Sequence, residues 1–325
     1  MSGGDDGVQV WRVKDGKKMA RMKTKTACCL AVSKDGRWIA AGTLNGNVHV
    51  WDANTYKQAF ACSEDDYTIQ GVDFSPDSTR LVSVSSNGTV TVWDIATHKQ
   101  VRTFHPKGWA VAAKYSPQGD RIATGTKDSV RVYDSNDGRV LVDIKVGVTP
   151  WHNPGFLWLN NHLLVVSSGE VKRYEVSTGA TVSKWPLPGT GVLSCIALPK
   201  HGESIACSGG LTVTLWDTST HIQSSLLKHS QRIRSIALSP DDRLLAIGGE
   251  DGELTIINLS CVTVRIVSRW IMVHMTKFLV PIIFPHRVRS LCLVYNPRSR
   301  KQVFRSTMPR SIFGSTINSR TPKHL

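Results

Sequence analysis

The strongest constraint on how this chain can fold is an internal period. The segments GNVHVWDANTYKQ (46–58), GTVTVWDIATHKQ (88–100), SVRVYDSNDGRVL (129–141), EVKRYEVSTGATV (170–182), TVTLWDTSTHIQS (212–224) and ELTIINLS (253–260) follow one pattern. Together with SGGDDGVQVWRVKDGK at 2–17, they place an aromatic residue or its substitute at Trp11, Trp51, Trp93, Tyr133, Tyr174, Trp216 and Ile257. The spacings are 40, 42, 40, 41, 42 and 41 residues. A fixed period of about 40 residues marks a repeat architecture in which each unit buries its apolar face only against its neighbours.

Within a unit the pattern is that of short strands. In VDFSPDSTRLVSVSSNGTVTVWDIATHKQ (72–100), an apolar run meets Ser75-Pro76-Asp77. LVSVS, the turn Asn87-Gly88, TVTVWDI and a polar turn at Thr97-His98 follow. Alternating runs bounded by Asn-Gly and Ser-Pro-Asp predict antiparallel hairpins, and no window sustains helical periodicity. Three or four strands per unit is the pattern of a propeller blade.

The pairs Trp51-Asp52, Trp93-Asp94 and Trp216-Asp217, with Tyr133-Asp134 as a variant, resemble the WD-repeat family of β-propellers over residues 7–260. The resemblance implies an all-β ring of blades, each with strands a to d and the Trp ending strand c. Six repeats carry their own strand c, and Val8–Trp11 is an orphan strand c, so the ring is nominally seven-bladed with a degenerate or missing closing blade. On this reading Trp11 pairs with strands a and b drawn from the C-terminal side, where Val262–Val267 and Ile271–Val280 are long enough to serve. Family blades often link a His, a Ser or Thr, an Asp and the strand c Trp by hydrogen bonds. Here the Asp position reads Asn45, Asn87, Asp128, Gly169, no clear match near Leu211, and Asp251, and leading histidines stand only at His105 and His229, so no blade has the full set.

Charge divides the chain. The net charge is +15, yet residues 261–325 hold 12 Lys or Arg and no Asp or Glu, leaving 28 bases against 25 acids in 1–260. The repeat also stops after Leu259. Residues 1–260 are therefore expected to be the propeller and 261–325 a poorly ordered basic tail, one not shaped by selection on a folded ring. A mid-repeat start also fits a piece of a longer repeat array. Trp270–Phe284 is too short and too broken by His274, Lys277 and Pro281 for a membrane helix. Seven scattered cysteines lack metal or disulfide spacing, so no metal and no cofactor is expected. The N-terminus lacks an apolar signal segment, which places the expected ring in the cytoplasm or nucleus.

No nucleophile elbow, His-Glu-x-x-His helix or phosphate loop is present, and the histidines fall in inter-strand loops, so an enzyme is not expected. A propeller offers instead a rigid face of loops. The resemblance implies docking on the face rimmed by the d to a loops and the starts of strand a. Aligning strand a in each repeat places Thr26 and Cys28, Thr68 and Gln70, Trp109 and Val111, Val192 and Ser194, and Arg232 and Arg234 there, with Trp151 added by the irregular segment WHNPGFLWLNNHLL. Trp and Arg are the residues that dominate protein interfaces. For the two tryptophans the alternative is packing between blades, and for the arginines a solvated edge. The expected function is a non-enzymatic protein-interaction scaffold with a protein or peptide partner. The alternatives are the sensor portion of a larger signalling protein and, as the weakest reading, nucleic-acid or anionic-membrane binding through the tail.

Overall fold

The computed structural model describes residues 1–63, 66–105, 108–126, 128–146, 155–167, 169–186, 193–198, 204–239, 241, 243–259, 265–271, 294–295 and 302–303. Each repeat becomes one antiparallel sheet with its strands in chain order. Blade 1 has β1 (Ser2–Gly4), β2 (Gly7–Arg12) and β3 (Lys17–Met22); blade 2 has β4 (Ala27–Val32), β5 (Trp38–Thr43), β6 (Asn47–Asp52) and β7 (Gln58–Ser63). Blade 3 has β8 (Ile69–Phe74), β9 (Arg80–Ser85), β10 (Val90–Asp94) and β11 (Gln100–Phe104); blade 4 has β12 (Ala110–Tyr115), β13 (Arg121–Thr126), β14 (Ser129–Asp134) and β15 (Val140–Lys145). Blade 5 has β16 (Gly155–Leu159), β17 (His162–Ser167), β18 (Glu170–Glu175) and β19 (Thr181–Pro186); blade 6 has β20 (Leu193–Ala197), β21 (Ser204–Gly209), β22 (Thr212–Asp217) and β23 (Gln223–Lys228). Blade 7 has β24 (Ile233–Leu238), β25 (Leu244–Gly249), β26 (Glu253–Asn258) and β27 (Arg265–Ile271), and a two-residue ladder joins β28 (Val294–Tyr295) to β29 (Gln302–Val303). The result is a seven-bladed β-propeller.

The turn residues explain the strand boundaries. At the a to b turn of blade 3, Ser75 Oγ donates to Asp77 Oδ1 at 2.5 Å while accepting the Arg80 N–H at 2.9 Å. The same hub recurs at Ser33 with Asp35 and Trp38, Ser116 with Asp120 and Arg121, and Ser239 with Asp241 and Leu244. A short side chain that bonds the backbone locally closes a turn without help from the sheet. Blade 5 replaces the hub with a two-residue turn in which Leu159 pairs with His162 and Asn160 takes φ 53°. Asn tolerates that left-handed conformation better than most residues.

The Asp of the repeated dipeptide closes the c to d turn. Asp52 Oδ1 accepts the N–H of Asn54 at 3.0 Å and of Thr55 at 2.8 Å, Asp94 that of Thr97 at 2.7 Å, and Asp217 those of Ser219 at 2.9 Å and Thr220 at 2.7 Å. Five residues after the strand c aromatic, the backbone is left-handed in every blade with a described c to d turn. The residues are Gly16, Tyr56, His98, Gly138, Gly179 and His221, with φ between 58° and 75°. Where this residue is not glycine its ring covers the blade before it. His98 stacks on Phe60 and His221 on Trp185, each at 4.3 Å between centroids, and Tyr56 packs on the core shared by blades 1 and 2.

Seven apolar cores form, each shared by two consecutive blades. Strand c side chains seal these joints from the later blade: Trp51 against blade 1, Trp93 against blade 2, Tyr174 against blade 4, Trp216 against blade 5 and Ile257 against blade 6. Strand b is enclosed on both faces; β25 (LLAIGG) is buried along its whole length. Near the axis the backbones converge. A Cβ on Gly42 would lie 2.6 Å from Cys29 Sγ and closer still to Ile69, so only glycine fits.

Ring closure differs from the sequence expectation. Trp11 does not take strand b from the C-terminal side: β1, only three residues long, pairs with β2 in the register Ser2 to Gln9. Ser2 thereby meets Trp11 as Ser83 meets Trp93, and the two indole Nε1 groups donate to the serine oxygens at 2.9 Å and 2.8 Å. Residues 265–271 serve instead as the outer strand of blade 7, with Ile256 opposite Ser268, so that sheet runs past residue 260. The sequence reading missed β1 because SGG has no apolar pattern, and it gave the apolar runs after residue 261 to blade 1 because no recognisable turn ties them to β26. The last joint is made by side chains: Trp11 and Val13 of blade 1 pack on Leu244, Ala246, Leu254 and Ile256 of blade 7.

Candidate interaction face

The loops at one end of the ring are tied to each other rather than left loose. Thr68 Oγ1 donates to the Leu44 carbonyl at 3.0 Å, and the Thr68 carbonyl accepts the Ser86 N–H at 2.8 Å, linking the loop into β8 to the b to c turns of blades 2 and 3. In blade 6 the His229 N–H bonds the Leu211 carbonyl at 2.7 Å, and in blade 7 the Glu250 N–H bonds the Arg232 carbonyl at 2.8 Å. Such bonds hold loop backbones in place so that side chains present a fixed surface.

On this face Trp109 is 62% exposed, and it leads into the buried start of β12 at Ala110. Thr68, Gln70 and Val111 are half-buried and Arg232 is exposed. Arg234 is half-buried and its guanidinium pairs with Glu250. Thr26 is half-buried and its carbonyl accepts the Leu44 N–H at 3.0 Å. Cys28 is buried, and burial together with the charge of Asp5 pushes its thiol up to about 12. Its thiolate is therefore scarce at neutral pH. Trp151 and Val192 lie outside the described residues, as does the side chain of Ser194. Three exposed apolar side chains went unread in the sequence: Leu44 at 42%, Tyr67 at 54% and Leu211 at 51%. Leu44 and Leu211 stand in b to c turns where polar residues are usual, and that was the available signal.

The polar residues beneath the face do internal work. His229 Nε2 lies 3.2 Å from Thr255 Oγ1 and its Nδ1 2.9 Å from the Gln231 carbonyl oxygen, while His105 Nδ1 lies 3.4 Å from Thr89 Oγ1. Asp73 bridges blades by accepting the Tyr115 N–H at 2.9 Å and Lys114 Nζ at 3.2 Å. Trp158 Nε1 extends that contact to the Lys114 carbonyl at 3.1 Å. Among the described residues no group of three His, Cys, Asp or Glu is placed to hold a metal ion, and no helix is long and apolar enough to cross a membrane.

Seven blades, Asp-closed c to d turns and aromatic-sealed joints make this a seven-bladed β-propeller built on WD-type repeats. The family of the WD domain, G-beta repeat, matches residues 17–52, 55–94 and 221–258. Over 246 residues the chain is 26% identical to the U3 small nucleolar RNA-associated protein 15 homolog of Xenopus laevis, covering 74% of this chain and 47% of that protein. Over 277 residues it is 22% identical to the transcriptional corepressor LEUNIG_HOMOLOG of Arabidopsis thaliana, covering 72% and 35%. The chain thus spans about half or less of the length of these curated relatives. Among solved structures, the β-propeller domain of Myceliophteria thermophila Cps50 (Swd1) superposes with a TM-score of 0.67 at 16% identity, over 75% of this chain and 86% of that one.

Proposed function

We propose that this propeller is a non-enzymatic scaffold that binds a protein or peptide on its loop face, through Trp109 with Thr68, Gln70, Val111 and Arg232 around it. The exposure of Trp109 carries this reading, because a tryptophan at 62% exposure on a loop face is the residue type that anchors protein interfaces. Leu44 and Tyr67, on the neighbouring blades 2 and 3, extend the apolar area. Arg234 supports the site indirectly, since its charge is occupied by Glu250. Trp151 completes the proposed face by sequence alignment alone. His105, His229, Asp73 and the turn aspartates Asp52, Asp94 and Asp217 are engaged in turns and inter-strand or inter-blade bonds, which favours binding over catalysis.

The curated relatives are named for a small nucleolar RNA-associated protein and a transcriptional corepressor, both longer than this chain. They favour an intracellular setting, with the propeller, whose last sheet runs to Ile271, as one part of a larger whole. The test is affinity purification of the full chain against its Trp109→Ala and Met19→Ala variants, with quantitative mass spectrometry. Loss of the same interactors with Trp109→Ala and their retention with Met19→Ala, on the outer edge of blade 1, supports the loop face. Equal retention by both refutes it.

A further inference from the structure

The near-neutral charge of residues 1–260 conceals one strongly basic edge. Residues 12–25, RVKDGKKMARMKTK, hold seven Lys or Arg against one Asp. They form the c to d turn of blade 1, its outer strand β3 and the start of the following loop. The other outer strands are less basic: β7 has no Lys or Arg, β11, β15, β19 and β23 have one each, and β27 has two. A lysine or two on a sheet edge is a common guard against edge pairing. Five lysines within a dozen residues exceed what that guard requires.

The internal ion pairs sort these bases into two groups. Arg12 pairs with Asp15 at 2.6 Å and Arg21 with Asp6 at 3.0 Å, so both guanidinium forks are occupied. Lys14, Lys17, Lys18, Lys23 and Lys25 are exposed, and among the described residues none lies within 4.0 Å of a carboxylate. Lys18 lies over the Trp11 ring at 5.4 Å, which leaves the other four extended into solvent. The outer strand of the adjoining blade 7, RIVSRWI, brings no acidic residue to offset them.

We infer that the outer edge of blade 1 binds nucleic acid through its phosphates. A defined carboxylate on a peptide is best taken by a free arginine fork, and both forks here are used. Lysines are point charges on flexible stems and donate to phosphate oxygens at variable geometry. No exposed aromatic residue lies among them to stack on bases, so the binding is to backbone and not to sequence. Lys14, Lys17 and Lys18 stand on the outer edge, and Lys23 and Lys25 continue along the d to a loop towards Thr26, so this surface borders the loop face proposed above; neither reading depends on the other.

The experiment measures fluorescence anisotropy of a labelled single-stranded RNA of about 20 nucleotides with the full chain across a salt series. It compares wild type with K14Q/K17Q/K23Q/K25Q and with a control of equal charge loss on other blades, K57Q/K99Q/K184Q/K228Q. Removing four phosphate contacts lowers the slope of log affinity against log salt by about 3 for a single strand and weakens binding at least about tenfold at low salt. The control keeps wild-type affinity and slope, and far-ultraviolet circular dichroism with thermal melting verifies that all three proteins are folded alike. Absence of wild-type binding at low salt overturns the proposal. An equal loss in the control, or displacement of the RNA by poly-glutamate of matched charge as readily as by unlabelled RNA, does the same.

Discussion

Cys207 faces Trp216 in the register position where Ser83 faces Trp93. Cys207 pairs with Thr214 across β21 and β22 as Ser83 pairs with Thr91 across β9 and β10. Ser83 Oγ accepts the Trp93 Nε1–H at 2.8 Å, whereas the buried Trp216 Nε1 has no acceptor among the described residues. The series Ser2, Ala41, Ser83, Thr124, Val165, Cys207 and Ile247 at this one position traces how far each blade keeps the polar link. Loss of the acceptor leaves the aromatic packing and removes the bond.

Cys207→Ser is expected to stabilise the protein by about 1 kcal/mol, because it gives a buried donor the partner it lacks. Ser83→Ala is expected to destabilise it by about 1–3 kcal/mol, because it orphans the Trp93 donor in the same environment. Urea denaturation of both variants checks the pair. Destabilisation by Cys207→Ser would show that the indole of blade 6 gains nothing from an acceptor.

Trp109→Ala should leave stability within about 0.5 kcal/mol of wild type, since the side chain is mostly in solvent. Trp93→Ala, at 6% exposure in the joint between blades 2 and 3, should cost about 3–5 kcal/mol. Thermal melts separate the two tryptophans. A large loss for Trp109→Ala would make it a packing residue and remove the basis of the proposed face.

Acid should loosen the c to d turns before the cores. The backbone N–H of Thr55 holds Asp52 below the usual carboxylate range, that of Thr97 does the same for Asp94, and the Ser219 hydroxyl leads the set that lowers Asp217. A depressed folded-state pKa stabilises the fold above the unfolded value of about 3.9 and is lost as pH falls through the lower folded one. Stability should therefore fall below about pH 4, and D52N/D94N/D217N should show a shallower fall. Unfolding midpoints between neutral and acid pH provide the check, and parallel curves would refute it.

Ending the chain after Leu259 removes β27 and exposes the outer edge of β26. Hydrogen exchange should then speed up at β26 amides such as Thr255 and Ile257, while β9 and β10 in blade 3 keep their protection. Unchanged exchange in β26 would mean that β27 adds nothing to the ladder.

The blades were legible in the sequence because their turns are self-contained. Ser75 with Asp77, and Asp94 with Thr97, fix strand ends through bonds two or three residues away. Closure was not legible because it depends on distant parts. Nothing in Ser2–Gly4 announces a strand, and its meaning comes from Trp11 nine residues later. The candidate face was half legible. Alignment of strand a placed Trp109 at its rim, but the pairing of Arg234 with Glu250 joins strand a to a turn 16 residues on, which no local pattern announces.

Every apolar core in this ring belongs to two blades, so the molecule is held as an arch is, by neighbours that lean on each other. Six joints have complete blades on both sides or a full blade entering from the later side. At the seventh, two residues of a three-stranded blade rest on four of blade 7. Heat or mechanical pull should part the arch there first, at its keystone, and turn a ring into a strip whose remaining joints still hold.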